Sequence, residues 1–435
     1  MIHMANNGKI FKLPVGKNGT APKKQPEHAR TDTPDTAEHP ALQETPAPRV
    51  SKKLYKIAAI LLAAIVLLLV LENWQNLSPA NIGNWIRTKA VGLGFGDGYP
   101  VDLVGSTADP GNFGTNGGNV YVVSDTALTV MNSSAKTLFT ARHSYNNPAV
   151  SVASDRYLLY NMGGNGYQIE TVSGTQVSGT SENGSITVGA IANSGKFALA
   201  LQPVDKASQL CVYNRDGSLQ YQYDFADMYI NAIALNSDGT RGAVAAVTSR
   251  SGSLVTCITV LDFSETEPIA SYEIENNLVL GLLWTNNNRI LAIGDQAAFV
   301  SDGSFTFSSC DYGGREVTAF CLTESRAIVS VSNYAYGGDS TLLIFSNSAE
   351  PVEAELSGRA TALCAAGSKV SALLSDRVVA ADLMTGRVEY YCESSSDTKG
   401  IAMADEGSVY MLGVREIRKE NLKGIPVEEE LSSAP

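Results

Sequence analysis

Residues 185–217, SITVGAIANSGKFALALQPVDKASQLCVYNRDG, and residues 229–265, YINAIALNSDGTRGAVAAVTSRSGSLVTCITVLDFSE, carry the same pattern twice. Each begins with a short run holding a small residue, Ala190 in one and Ala232 in the other. A polar turn follows, Ser194-Gly195 or Asp238-Gly239, and then an apolar β-like run. After a polar break comes a second β-like run that ends in another turn, Asp216-Gly217 or Ser264-Glu265. Runs of this length, rich in Val, Ile, Thr and Tyr and bounded by Gly, Asn, Asp and Ser, read as strands joined by hairpins.

The pattern extends in both directions. The first turn recurs at Ser154-Asp155, Asn287-Asn288, Glu324-Ser325, Gly367-Ser368 and Glu406-Gly407, with successive spacings of 40, 44, 49, 37, 43 and 39. The second recurs at Ser133-Ser134, Ser173-Gly174, Asp302-Gly303, Ser348-Ala349 and Thr385-Gly386. A period near 40–45 residues is that of a four-stranded propeller blade. Gly281, Ala319, Ala362 and Gly400 repeat the small residue of Ala190 and Ala232. Innermost strands converge on a channel, where bulk does not fit. The final repeat supplies three strands, and the missing fourth is available at Val101–Gly105, so pairing the two ends closes a ring without free edges. The expectation is an all-β propeller over 99–420 with eight blades, or seven if one repeat is collapsed. A jelly roll or sandwich would lack this repetition.

Ahead of the repeats, Ile57–Leu71 (IAAILLAAIVLLLVL) is an uncharged apolar run. Extended over 54–72, with Lys56 snorkelling and Tyr55 and Trp74 at the interfaces, it reads as one transmembrane helix. Lys52, Lys53 and Lys56 flank one side and Glu72 the other, which places 1–53 in the cytoplasm and the rest outside the plasma membrane. A cleaved leader ending near Ser78-Pro79-Ala80 would need a 53-residue extension before its apolar core, so a retained anchor is expected. Residues 1–53 hold seven of the 16 prolines and read as a disordered tail. Over 73–98, Ser78 and Pro79 start a short helix to about Ala90, and a Gly-rich linker follows. Residues 421–435 read as a second disordered tail.

Beyond the anchor the chain resembles something known. The anchor, the segment GFGDGYPVDLVGS (94–106), the run GGNVYVVSDTALTVMNSSAKTLF (117–139) and the repeats together are similar to a bacterial family of membrane-anchored propeller proteins of unknown function. That resemblance spans about 70–418; it implies the fold and the location and no activity. The segment VVAADLMTGRVEYY (378–391) is similar to one repeat of pyrroloquinoline-quinone propellers. Trp284 is the only tryptophan within the repeats, so the stacking residues such a cofactor needs are missing and no cofactor is expected.

Charge narrows the function further. Residues 1–56 hold ten Lys/Arg against five acids, whereas 57–435 hold 22 against 39. So negative a domain repels phosphate backbones, which argues against nucleic acid as a partner. His143 is the only histidine after residue 56, which leaves no multi-His metal site and a single candidate for any Ser-His-Asp set. Its setting, ARHSYNNP, reads as a solvated loop. No HExxH, P-loop or GxSxG occurs. A pair of acids could still cleave a glycan, but Asp216, Asp238 and Asp302 sit in Asp-Gly turns, where the local backbone favours Asp. The six cysteines form no CxxC pair and lie in apolar runs. They are expected as mostly buried thiols, with a disulfide between Cys310 and Cys392 disfavoured because the two lie at the ends of outer strands two repeats apart.

What remains is recognition. The connections Pro203–Ser208, Thr248–Ser253 and Asn333–Ser340 read as long loops on one face of the ring. Tyr145, Tyr229, Arg250, Tyr312, Arg315, Tyr334 and Tyr336 belong to that face, and Tyr and Arg are the residues that anchor interfaces. The sequence therefore leads to a non-enzymatic binding or scaffold module at the cell envelope, engaging an envelope protein or wall polymer. A carboxylate-based glycan hydrolase or lyase, or a transmembrane sensor signalling through the tail, are the alternatives.

Overall fold

The computed structural model describes Leu61 and residues 94–425. The tail 1–53, the anchor 54–72 apart from Leu61, the helix of 73–98 up to residue 93, and residues 426–435 lie outside the described residues. Among the described residues no helix is long and apolar enough to cross a membrane.

Residues 101–424 build eight antiparallel sheets of four strands, one of them extended to five. Lettering the strands a to d from the inside outward, blade 1 runs Ala108–Asn116, Asn119–Ser124, Ala127–Met131 and Thr137–Arg142. Blades 2 to 7 follow at residues 148–180, 185–225, 229–275, 279–311, 316–356 and 362–393. Blade 8 takes Gly400–Ala402, Ser408–Leu412 and Glu416–Asn421 from the end of the repeats and Val101–Asp102 from their beginning. Val101 lies opposite Ile417 and Asp102 opposite Glu416. The ring closes as the repeat count demands, with eight blades.

Each blade buries both faces against its neighbours, which explains the continuous apolar runs. Strands b and c of blade 3, FALALQ and SQLCVY, are enclosed almost throughout, while strand d, LQYQYDF, alternates toward solvent. There are eight apolar clusters, one for each seam between adjacent blades. The cluster joining blades 8 and 1 includes Phe113, Val120, Tyr410 and Ile417. Every seam thus resembles its neighbours, and each fully buried Leu, Ile or Val contributes about 1.5–3 kcal/mol. Strand a of blades 3 to 6 bulges after Ile186, Ile230, Val279 and Val317, one residue being unpaired in each. The bulge bends the innermost strand where the blades crowd.

Two expectations change. Residues 421–425 are not wholly a tail, because Lys423–Gly424 adds a fifth strand to the open edge of blade 7, against Tyr391 and Tyr390. Thr248–Ser253 is not a long loop. Strands Arg241–Arg250 and Ser253–Asp262 run ten residues each and meet in a two-residue turn, Ser251-Gly252, with φ of 52° and 84°. Positive φ at both positions matches the twist of the flanking strands, so the hairpin extends blade 4 instead of opening it.

Candidate binding surfaces

The two ends of the strand stack differ. At one end lie the a–b and c–d turns, at the other the b–c turns and the links from each blade to the next.

At the first end the channel opens into a cavity of about 750 Å³, walled by Phe113, Val152, Cys321, Leu363, Cys364 and Met403 among others. Glu324 is the one carboxylate lining it and Arg326 the one cation. Among the described residues this lining holds one acid, where glycan cleavage uses a pair. Burial pushes the Cys321 thiol up to about 12 and holds Cys364 well above its ordinary value, with Cys321 and then Cys392 adding to the effect. Both are protonated at neutral pH and poor nucleophiles. All six cysteines are free thiols; Cys211, Cys257 and Cys392 are buried and the other three partly so.

Polar bonds tie the blades together here. Thr115 Oγ1 donates to Met403 O at 2.6 Å and Ser368 N to Glu406 Oε1 at 2.6 Å. The most regular tie was overlooked in the sequence, although its signal is periodic. A basic residue follows the a–b turn in six repeats, as Arg156, Lys196, Arg241, Arg289, Arg326 and Lys369. Arg289 Nη1 donates to Asn347 O of blade 6 at 3.0 Å, and Arg326 Nη1 to Leu383 O of blade 7 at 2.9 Å. Lys369 Nζ donates to Glu406 O of blade 8 at 3.1 Å and lies 3.6 Å over the Tyr390 ring.

The Asp residues of the turns behave as turn residues. Asp216 Oδ1 accepts from Ser218 N at 2.9 Å and Oγ at 2.6 Å, and Asp302 Oδ1 from Ser304 N at 2.8 Å and Thr306 N at 2.9 Å. These bonds hold both carboxyls below their ordinary range. His143 differs from the solvated loop residue expected. Its Nε2 lies 3.1 Å from Ser124 O, its Nδ1 accepts from Tyr145 N at 3.2 Å, and its ring stacks on Tyr145. Burial lowers its pKa, so it is a neutral imidazole with both nitrogens engaged. Among the described residues no group of three or more His, Cys, Asp or Glu is placed to hold a metal.

All seven residues selected from the sequence lie at the second end, in unequal settings. Tyr336 is 95% exposed and Tyr334 63%, while Tyr229 is half exposed. The loop carrying the first two is held at its base, with Arg359 Nη1 donating to Tyr334 O at 2.5 Å and Ser332 Oγ to Asp339 O at 2.8 Å. Arg250, at the tip of the blade 4 hairpin, already grips Glu273 at 2.8 Å. Arg315 Nε donates to Tyr312 O at 2.8 Å and so fixes its own turn. Tyr145 is half buried against His143 and Gln168, and burial pushes its phenol up to about 12. Tyr312 corrects the reading outright: it is 0% exposed, enclosed in the cluster between blades 5 and 6. The two glycines after it, Gly313 and Gly314, both have positive φ and turn the chain so that the ring faces inward. Exposed Met162, Val204 and Val414, in the b–c turns of blades 2, 3 and 8, join the same face and were not singled out.

Eight four-stranded blades around a channel, closed by pairing the first strand with the last blade, define a β-propeller. Its family model, a family of unknown function (DUF5711), matches residues 105–421, and the chain belongs to that family. No curated protein matches the chain. Among solved structures, the β-propeller domain of Cps50 (Swd1) from Myceliophteria thermophila is 11% identical, with a TM-score of 0.48 over 75% of this chain and 99% of that one. BamB from Moraxella catarrhalis is 9% identical, with a TM-score of 0.48 over 73% of this chain and 95% of that one. Neither likeness says anything of what this chain binds.

Proposed function

We propose that the chain is a non-enzymatic binding module, held at the plasma membrane by residues 54–72, whose propeller engages an envelope protein outside the cell. The observation that carries the reading is the pair Tyr334 and Tyr336, large and exposed on a loop tied down at its base. A rigid scaffold presenting aromatic side chains loses little conformational freedom on binding. Tyr229, Met162 and Val204, on blades 4, 2 and 3, are further exposed apolar side chains on the same face. Residues 94–99 support the assignment of faces. Gly96 N donates to Ser134 Oγ at 3.1 Å and Tyr99 Oη to Asn132 O at 3.1 Å, so the chain enters against the c–d turn of blade 1, at the opposite end. The binding face is free of that entry.

A photoreactive residue placed at Tyr336 of the full chain in its own membranes, and at Thr266 in the c–d turn of blade 4, tests the reading. One protein adduct is expected from position 336 alone, and it should vanish in a Tyr334→Ala, Arg250→Ala variant whose melting temperature is unchanged. Equal labelling at both positions, or polymer adducts only, would sink the proposal.

A further inference from the structure

Leu283, Cys321, Cys364 and Ala402 each stand two residues after the small residue of their innermost strand, Gly281, Ala319, Ala362 or Gly400. All four line the cavity of about 750 Å³ at the first end of the channel. The equivalent residues of blades 3 and 4, Ala192 and Ala234, are buried and do not line it. The cavity is therefore one-sided. Leu322, Leu363, Ile401, Met403 and Phe113 complete its apolar wall, on blades 6, 7, 8 and 1.

That wall carries no charge. Burial keeps the Cys321 and Cys364 thiols protonated. Glu324 and Arg326 are the charged side chains of the lining, and both belong to the a–b turn of blade 6, at the mouth. Arg326 is already committed, through Nη1, to Leu383 O. An ionised group carried to the floor would lose its hydration and meet no opposite charge. Across the mouth, blades 1 to 3 present uncharged polar groups. Ser154 Oγ donates to Asn193 Oδ1 at 3.3 Å, and Asn116 belongs to the same rim. An apolar wall under a neutral polar rim suits an apolar body whose polar head stays at the mouth. The volume falls within the roughly 300–1,000 Å³ of small-molecule sites.

We infer that this cavity binds the hydrocarbon chain of an amphiphile with an uncharged hydroxyl head, of the monoacylglycerol kind. The chain lies against the wall of Leu363, Cys364 and Met403, and the hydroxyls meet the rim of Asn116, Ser154 and Asn193. The site is at the opposite end of the ring from Tyr334 and Tyr336 and does not depend on the face proposed there. Residues 94–99 join the ring at the cavity's end. The anchored reading proposed above therefore makes the bilayer the source of the ligand, and it bears on the source alone.

The test uses the full chain in bilayer discs, with a long-chain monoacylglycerol that carries a diazirine in its acyl chain. A water-soluble octanoyl glycerol with the same photoreactive group is added to the same discs as a second arm. Irradiation should place adducts on residues 362–366 and 400–404. Excess unlabelled monoacylglycerol should lower them about tenfold, and the fatty acid of the same length should not. Labelling by the long probe identifies a lipid source, and labelling by the short probe alone identifies a free amphiphile; each supports the site. Ala404→Trp, which fills the cavity from the a–b turn of blade 8, should remove the adducts at an unchanged melting temperature. Ser325→Trp, at the exposed mouth, should do the same and serves if the first variant does not fold. Absence of adducts from residues 362–366 and 400–404, equal competition by the fatty acid, or undiminished labelling in either folded variant overturns the proposal.

Discussion

The seam between blades 6 and 7 and the seam between blades 2 and 3 solve the same problem differently. In the first, Arg326 Nη1 finds Leu383 O at 2.9 Å, and its Nη2 lies 3.1 Å from Met384 Sδ. The turn it reaches is drawn tight by Asp382, whose Oδ1 accepts from Thr385 N at 2.8 Å and Met384 N at 3.0 Å. In the second, Arg156 Nη1 is buried with no hydrogen-bond partner among the described residues, and burial and then the nearby charge of Arg215 lower its pKa. A propeller needs each seam to fit, and apolar packing supplies that fit at both. The polar groups at the edge of a seam are under less constraint, and there one repeat leaves a guanidinium nitrogen without an acceptor while another supplies one from the next blade.

The largest expected difference between the two seams comes from their turn glycines. Gly386 has φ of 69°, and a Cβ on it would lie 1.9 Å from Glu353 O, a backbone atom of blade 6. Gly217 occupies the same turn in blade 3 with φ of 85°, but its Cβ would meet only the side chain of Val177, at 2.8 Å. Both substitutions to Ala cost about 1–2 kcal/mol for the left-handed backbone. Gly386→Ala must in addition push two blades apart, so a total of about 4 kcal/mol or failure to fold is expected, against about 2 kcal/mol for Gly217→Ala, whose neighbour can rotate. Chemical denaturation of both variants checks this, and equal losses would show that the two seams are equally tight.

Next in size is Arg326→Met. It leaves Leu383 O without its donor and keeps most of the stem's packing, so a loss of about 1–3 kcal/mol is expected. Arg156→Met, which removes a buried nitrogen that has no hydrogen-bond partner among the described residues, is expected to lose nothing. If both variants lose the same amount, Arg156 is bonded in solution and the contrast between the seams disappears.

The sequence carried the ring and its closure because both follow from periodicity. Turns at a fixed interval, small residues at Ala190, Ala232 and Gly281, and an unpaired strand at Val101 are all signals along the chain itself. The side-chain environment at the ends of the blades was less legible. Thr248–Ser253 looked like a polar loop, and only the partner strand shows Thr248 lying opposite Val255 within a hairpin. Tyr312 sits in a Gly-rich turn, which gives no sign that blades 5 and 6 close over the ring. The basic residue after each a–b turn was visible as a repeat. Its acceptors were not, since Asn347 O and Leu383 O are backbone atoms a full blade away.

The smallest expected effect concerns an acid near the odd seam. Glu170 is buried in strand c of blade 2, where its Oε1 accepts from Thr175 Oγ1 at 2.7 Å. It lies opposite Tyr157, while Arg156 is the preceding residue of that strand and points to the other face, so the buried acid and the buried cation do not neutralise each other. Burial raises the Glu170 pKa above its ordinary 4.5, with the Thr175 bond opposing. The folded chain therefore holds this proton more firmly than the unfolded one. Its contribution is fully present below about pH 4.5 and is lost as pH rises through the folded value. Glu170→Gln keeps an oxygen for Thr175 and removes that loss. The variant should match the parent at pH 4 and become the more stable as pH rises toward 7. Carboxylates held low by their bonds, such as Asp216 and Asp302, weaken both proteins alike on acidification and cancel in the difference. An advantage independent of pH would mean that the Glu170 carboxyl titrates alike in the folded and unfolded chains, so that burial does not raise its pKa. A penalty at pH 7 would mean that its charge has found a cation, and Arg156 would be the first to examine.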